Sequence, residues 1–165
     1  MLSYKKIGTG YPLVLIHGYL GGQSMWKFQE ELKNDYDLIM PSLAGYGESS
    51  HMVAPSTIKE NANQVLGLLD YLQIDKFNLL GHSMGGMVVQ EMAALYPERI
   101  NKLICFGTGS IGVLPNRFET INESRTKINK FGLNKVRQEI AKTWFIDYLI
   151  GEDRKSTRLN SSHAD

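Results

Sequence analysis

The pentapeptide Gly81-His82-Ser83-Met84-Gly85 constrains this chain more than any other segment. It joins a β-prone run, Phe77–Leu80, to an apolar run, Met87–Tyr96, that Pro97 ends. A G-x-S-x-G pattern between a strand and a helix predicts a sharp, strained turn that lifts the serine hydroxyl clear of the sheet edge. Only glycine fits two residues to either side of such a turn, so the spacing predicts a strand–turn–helix unit with Ser83 at its apex.

Strand-like and helix-like segments alternate before and after this unit. Gly8-Thr9-Gly10 is typical of a hairpin turn between the first two strands, Ser24 is expected to cap the next helix, and Thr57-Ile58-Lys59-Glu60 matches a capping box. The alternation predicts an α/β fold, a doubly wound and mostly parallel sheet with helices on both faces. The predicted strands are Tyr4–Ile7, Leu13–Ile16, Asp37–Met40, Phe77–Leu80 and Ile100–Phe106.

The chemistry that this layout favours is nucleophilic attack by Ser83. At a helix N-terminus, backbone N–H groups and the helix dipole stabilise negative charge, so the Met84 N–H is one candidate oxyanion donor. A second donor is expected from the loop after Leu13–Ile16, with the Tyr19 N–H first and the Leu20 N–H in reserve. The alternative is a structural glycine turn with an incidental serine. His17 is interpreted as a structural residue that hydrogen-bonds the loop backbone.

Three motifs carry a resemblance to a known family: His17-Gly18-Tyr19, Gly45-Tyr46-Gly47-Glu48-Ser49 and Gly81-His82-Ser83-Met84-Gly85-Gly86. Together they resemble the α/β-hydrolase superfamily, in its capped, serine-esterase-like group, over roughly residues 2–150. The resemblance implies an incomplete α/β-hydrolase core over 1–109 and the start of a helical cap over 110–152. It departs at Ser42, where relatives usually have Asp, which leaves open how that loop is braced.

The same resemblance implies roles for individual residues. Ser83 would be the catalytic nucleophile, and the backbone N–H groups of Tyr19 and Met84 would form the oxyanion hole. The elbow and the neighbouring loop would be held in shape by four structural residues, which are Gly81, Gly85, His17 and Gly18.

The residues that would complete a catalytic triad do not follow the serine. In this fold the chain order is Ser, acid, His, yet no histidine lies between Ser83 and residue 152, and the only Asp there is Asp147. A serine without a base keeps only a weak residual rate, so this chain is expected to be inactive by itself. The expected parent activity is hydrolysis of a small ester, lactone or thioester. Alternatives are a non-catalytic ligand-binding protein, or a lyase, haloperoxidase, C–C hydrolase or aminopeptidase of the same fold.

The end of the chain has a different character. Residues 153–163, DRKSTRLNSSH, match the translation of a common sequencing-library adapter codon for codon. Residues 153–165 are therefore expected to be a non-native tail, and His163 is excluded as a base. Without this tail the chain carries equal numbers of acidic and basic residues.

Composition and charge exclude several classes of partner and of binding site. Balanced charge gives no reason to expect nucleic acid or an anionic membrane as partner. No apolar run reaches the roughly 18 residues of a membrane span, and the N-terminus lacks a signal-peptide pattern. One cysteine, Cys105, excludes an internal disulfide and a Cys-rich zinc site, and it is expected in a buried strand. These observations predict a cytoplasmic protein. The resemblance to α/β-hydrolases implies a small-molecule acyl substrate and neither cofactor nor metal.

Overall fold

The computed structural model describes residues 1–110, 120–132, 134–136, 138–140 and 142. The chain divides into two units at residues 113/114. Most of the first unit is described, whereas the tail expected at 153–165 and much of the cap expected at 110–152 lie outside the described residues. In the second unit helix α3 runs from Ile121 to Phe131 and begins with a capping box of Thr120 and Glu123.

The first unit is built on one sheet of five strands, which are β1 Tyr4–Ile7, β2 Tyr11–Ile16, β3 Tyr36–Pro41, β4 Phe77–His82 and β5 Ile100–Phe106. Their order in the sheet is β1-β3-β2-β4-β5. Strands β2 to β5 are parallel, and β1 is antiparallel to β3. This confirms the predicted mostly parallel sheet. The predicted hairpin at Gly8-Thr9-Gly10 is wrong, because β1 pairs with β3 and not with β2.

Helical segments cover both faces of this sheet. Successive 3-10 turns over Gln23–Asn34 pack on one face, and α1 (Ile58–Tyr71) and α2 (Met84–Leu95) pack on the other. Short 3-10 turns span Gly47–Ser49 and Pro97–Arg99. Among the described residues no helix combines the length and the apolar character that crossing a lipid bilayer requires.

Two predicted helix caps have opposite outcomes. The capping box before α1 is confirmed, since the Glu60 N–H donates to Thr57 Oγ1 at 3.1 Å and the Thr57 N–H donates to Glu60 Oε2 at 3.0 Å. The cap predicted at Ser24 is wrong: the segment begins after Gly22, with no side-chain cap, and Ser24 lies inside it. The turn begins earlier than predicted because the Met25 N–H donates to the Gly22 carbonyl at 3.1 Å.

The core consists of two apolar clusters, one on each face of the sheet. Side chains of β2 belong to both clusters because they alternate between the two faces of the sheet: Val14 and Ile16 point into one cluster, and Leu13 and Leu15 point into the other. The first cluster receives the apolar faces of α1 and α2, and the second receives Trp26. A strand buried on both faces explains why this part of β2 reads as an uninterrupted apolar run.

Strand β5 differs from the other parallel strands. It pairs only with β4 within the described part of the chain, so it forms one edge of the sheet. The side chains of Leu103, Ile104 and Phe106 are 40%, 50% and 63% exposed. Cys105 is exposed as well, so the expectation that it is buried is wrong. The apolar sequence of β5 alone could not show that this strand lies exposed at an edge of the sheet.

We expect this edge to make the chain self-associate, because an exposed apolar edge strand can pair with a second copy. Replacing Ile104 with Lys should keep the chain monomeric at concentrations where the unsubstituted chain forms larger species, measured by sedimentation velocity. Val53→Lys is the matched control, since Val53 is 91% exposed but lies in a loop. A monomeric unsubstituted chain that melts cooperatively would contradict the expectation.

Candidate active site

Ser83 lies between the end of β4 and the start of α2, as predicted. Its backbone has φ +52° and ψ −119°, a conformation that L-residues rarely adopt and that costs about 1–3 kcal/mol. Two backbone bonds hold the turn: the Ser83 N–H donates to the Phe106 carbonyl at 3.0 Å, and the Gly86 N–H donates to the Ser83 carbonyl at 2.9 Å. The hydroxyl does not cap α2, although it occupies the N-cap position. The turn therefore presents a hydroxyl that is not committed to the helix.

The strained turn requires close backbone approach on both sides. A Cβ on Gly85 would overlap the carbonyl oxygens of Ile16 and His17, at the end of β2. A Cβ on Gly81 would overlap the carbonyl of Gly85 and press on Val89. These contacts give the physical reason for the G-x-S-x-G spacing, because the first turn of α2 sits directly on the sheet.

The loop after β2 reaches the serine. A Cβ on Gly18 would lie 3.1 Å from the Cβ of Ser83, so the His17-Gly18-Tyr19 backbone runs beside the elbow. The Gly21 N–H donates to the Gly18 carbonyl at 3.0 Å and closes a turn in which Leu20 has φ +61°. The structure thus places Gly18, the residue before Tyr19, beside Ser83. The oxyanion-hole roles of the Tyr19 and Met84 N–H groups stay predictions.

His17 is fully buried and both its ring nitrogens have partners. Nδ1 lies 2.8 Å from the Gly18 carbonyl, and Nε2 accepts the Leu43 N–H at 2.9 Å. Because Nε2 accepts, the proton lies on Nδ1, which donates to the carbonyl; the ring is neutral. Burial lowers the pKa of His17 against a smaller opposing effect of the Gly18 hydrogen bond. The ring braces the loop after β2 against the loop after β3.

Ser42 provides a second brace between the same two loops. This buried side chain accepts the Gln23 N–H at 3.1 Å and donates to Glu48 Oε2 at 2.6 Å. The hydrogen bond from Ser42 is the main cause that lowers the pKa of Glu48. The loop that departs from the family pattern at Ser42 is therefore braced by a serine–glutamate pair. Sequence reasoning missed the role of Glu48, although it lies within the Gly45–Ser49 motif.

Tyr46 is a further residue that sequence reasoning did not single out. Its ring lies edge-on to His17 and Tyr19, with centroids 5.6 and 6.0 Å away. Its hydroxyl lies 3.7 Å from Met84 Sδ, a weak contact. Burial is the main cause that raises the pKa of Tyr46 to about 12. The Tyr46 side chain is therefore a neutral phenol that lies beside His17, Tyr19 and Met84.

His82 lies beside Gly18, and its Nδ1 is buried with no hydrogen-bond partner among the described residues. The His82 ring packs on Phe106, with centroids 5.5 Å apart, and burial lowers its pKa. His51 is exposed in the loop after β3. Among the described residues, no group of three or more His, Cys, Asp or Glu side chains is placed to hold a metal ion.

Comparison with known proteins agrees with the fold. A family model described as alpha/beta hydrolase fold matches residues 11–138. A Pseudomonas putida protein, the dihydrolipoyllysine-residue acetyltransferase component of an acetoin cleaving system, is 38% identical over 68% of the chain and 31% of its own length. A 2-hydroxy-6-oxononadienedioate/2-hydroxy-6-oxononatrienedioate hydrolase of Pseudomonas putida is 33% identical over 69% of the chain and 42% of its own length.

Solved structures extend the likeness. A thermophilic esterase from Thermogutta terrifontis superposes with a TM-score of 0.74 and 32% identity, over 84% of this chain and 52% of the esterase chain. The chain thus spans less than half the length of these curated relatives and about half that of the esterase.

Two glycine substitutions in helices should change stability in opposite directions. Gly85→Ala should lower the free energy of unfolding by about 3 kcal/mol, because the new methyl group overlaps backbone carbonyls that cannot move aside. Gly67→Ala in α1 should raise it by about 1 kcal/mol, since nothing lies within 4 Å of the new Cβ and alanine favours helix. Urea denaturation of both variants measures the difference, and equal effects would contradict the close approach at Gly85.

The buried neutral His17 should also make the chain less stable in acid. Its folded pKa is lower than its unfolded pKa, so the unfolded state binds the extra proton first and stability falls as pH drops below about 6.5. We expect His17→Gln to reduce this pH dependence between pH 7.5 and 5, measured by urea denaturation. His51→Gln, in an exposed loop, should leave it unchanged.

Proposed function

Since the chain belongs to the α/β-hydrolase fold family, we propose that it carries the nucleophile of a serine hydrolase acting on a small carboxylic ester, lactone or thioester. The observation that carries the proposal is the strained Ser83 turn, with a hydroxyl that does not cap α2 and with the Gly18 loop beside it. The likeness to the Thermogutta terrifontis esterase supports an ester as the substrate class.

The proposed reaction begins with attack of Ser83 Oγ on the substrate carbonyl carbon. A new C–O bond forms, and the carbonyl π electrons move to the oxygen, which accepts hydrogen bonds from the Met84 and Tyr19 N–H groups. When the intermediate collapses, the bond to the leaving alcohol or thiol breaks and the leaving group takes a proton. Water then attacks the acyl-enzyme, releases the acid and returns the proton to Oγ.

This cycle needs a base to carry the proton, and neither histidine near Ser83 suits that role. Both ring nitrogens of His17 are held by the backbone, and the His82 ring packs on Phe106. No histidine lies between Ser83 and residue 152. We therefore place the histidine and its acid in sequence beyond that of this chain, in line with the longer relatives.

Cleavage of a carbon–carbon bond is the second candidate. It is favoured by the 33% identity to a Pseudomonas putida hydrolase named for 2-hydroxy-6-oxononadienedioate. The two candidates share the elbow and differ in the leaving group, a carbanion equivalent in place of an alkoxide. Parallel assays on p-nitrophenyl butyrate and on a vinylogous 1,5-diketone separate them.

We expect the 165-residue chain to show no turnover of p-nitrophenyl butyrate above that of its Ser83→Ala variant. In a longer form that carries the downstream acid and histidine, Ser83→Ala should lower kcat/KM by about 10⁴-fold or more. Ser50→Ala is the control, because Ser50 is exposed and outside the site.

Two results would change the proposal. Turnover by the 165-residue chain that Ser83→Ala abolishes would show that the base lies within this chain. Saturable ligand binding without turnover by the longer form would favour a ligand-binding protein of the same fold.

A further inference from the structure

The loop that follows β5 lies directly against the first turns of α2, the helix that begins after Ser83. A Cβ on Gly86 would overlap the Cβ and Cγ2 atoms of Thr108, so helix and loop have no room for a side chain between them. Gly107, whose φ is +57°, allows the chain to turn at the end of β5. An interaction that holds this loop on α2 therefore also holds the end of β5 beside the elbow.

The side chain of Gln90 joins the helix to this loop. Its Nε2 donates to the Gly86 carbonyl at 3.0 Å and to the Gly109 carbonyl at 3.2 Å. Only the nitrogen of the amide can face two carbonyl oxygens, so the orientation of the group is fixed and both of its hydrogens are used. The Thr108 hydroxyl also donates to the Gly109 carbonyl, at 3.3 Å, but it lies on the same loop. Gln90 thus ties Gly109 to α2.

The two bonds of Gln90 close a ring of hydrogen bonds around Ser83. The Ser83 N–H donates to the Phe106 carbonyl at 3.0 Å, and its carbonyl accepts the Gly86 N–H at 2.9 Å. Gly109 lies three residues after Phe106, and Gly86 lies three residues after Ser83. Because Gln90 connects Gly109 with Gly86, both backbone hydrogen-bonding groups of the strained serine belong to this one ring.

We propose that Gln90 is a positioning residue, which holds Ser83 in its positive-φ conformation by fixing the Phe106 carbonyl that accepts the Ser83 N–H. That conformation costs free energy, so it persists only where surrounding bonds oppose its relaxation. Gln90 acts through the loop backbone and not on a substrate. Its effect on catalysis rests on the proposed hydrolase function, whereas its effect on the Ser83 backbone does not.

Hydrogen exchange of the 165-residue chain tests the effect on the backbone. Gln90→Met keeps the size and helix preference of the side chain and removes both donors. We expect the Ser83 N–H to exchange about three- to tenfold faster, because the net contribution of one hydrogen bond is lost from the structure that protects it. Amides of the β2–β3 pairing should keep their rates. NMR at a concentration where the chain is monomeric measures both, and Gln64→Met on α1 is the matched control.

Two results would overturn the proposal. One is an unchanged Ser83 exchange rate in Gln90→Met, and the other is an equal acceleration of the β2–β3 amides, which would mean a general loss of stability. A measurement on the unsubstituted chain needs no variant to fold. There the side-chain amide protons of Gln90 should exchange more slowly than those of Gln73, which is exposed, and equal rates would also contradict the ring of bonds.

Kinetics of a longer form that carries the downstream acid and histidine test the catalytic consequence. Gln90→Met should lower kcat for p-nitrophenyl butyrate about tenfold and change KM less than about twofold, since misplacement of the nucleophile affects the chemical step. An unchanged kcat, or a change in KM alone, would contradict a positioning role. Absence of turnover by the unsubstituted longer form would refute the proposed hydrolase function, and the exchange rate of Ser83 would still decide whether Gln90 fixes its backbone.

Discussion

The close approach of the first turn of α2 to the end of β2 determines the rest of this site. Gly85 lies so near the Ile16 and His17 carbonyls that no side chain fits between them. The helix therefore begins directly above the central strands, and the chain can enter it only through a residue with positive φ. Ser83 takes that conformation, whose cost the packing of β4 and α2 must offset. The strained backbone of Ser83 and the close packing of Gly85 on the end of β2 therefore have the same cause, the short distance between α2 and the sheet.

Much of the fold could be predicted from sequence because its signals are local or periodic. The apolar runs gave the five strands, and the Thr57–Glu60 spacing gave the start of α1. Strand order could not be read in the same way. Gly8-Thr9-Gly10 has hairpin composition, yet β1 lies beside β3, since pairing depends on contacts distant in sequence. The exposure of β5 could not be predicted for a related reason, because an apolar strand has the same sequence pattern whether or not another element covers it.

The same difference between local signals and contacts distant in sequence applies to the residues of the site. The G-x-S-x-G spacing carries its own steric explanation, so the position of Ser83 followed from sequence. The bracing did not, because Ser42 and Glu48 are ordinary polar residues until two loops meet around them. Residues that act through tertiary neighbours leave little trace in a single sequence.

The position of β1 has a consequence for the order of assembly. Its pairs, from Tyr4 with Pro41 to Ile7 with Leu38, span most of the first forty residues, whereas a hairpin at Gly8-Thr9-Gly10 would have paired residues no more than about ten apart. Closing the longer loop costs more entropy, and non-local contacts slow folding. Strand β1 is made before β3 and must therefore wait for it. Once made, β3 keeps an open edge until β1 pairs with it in the antiparallel sense.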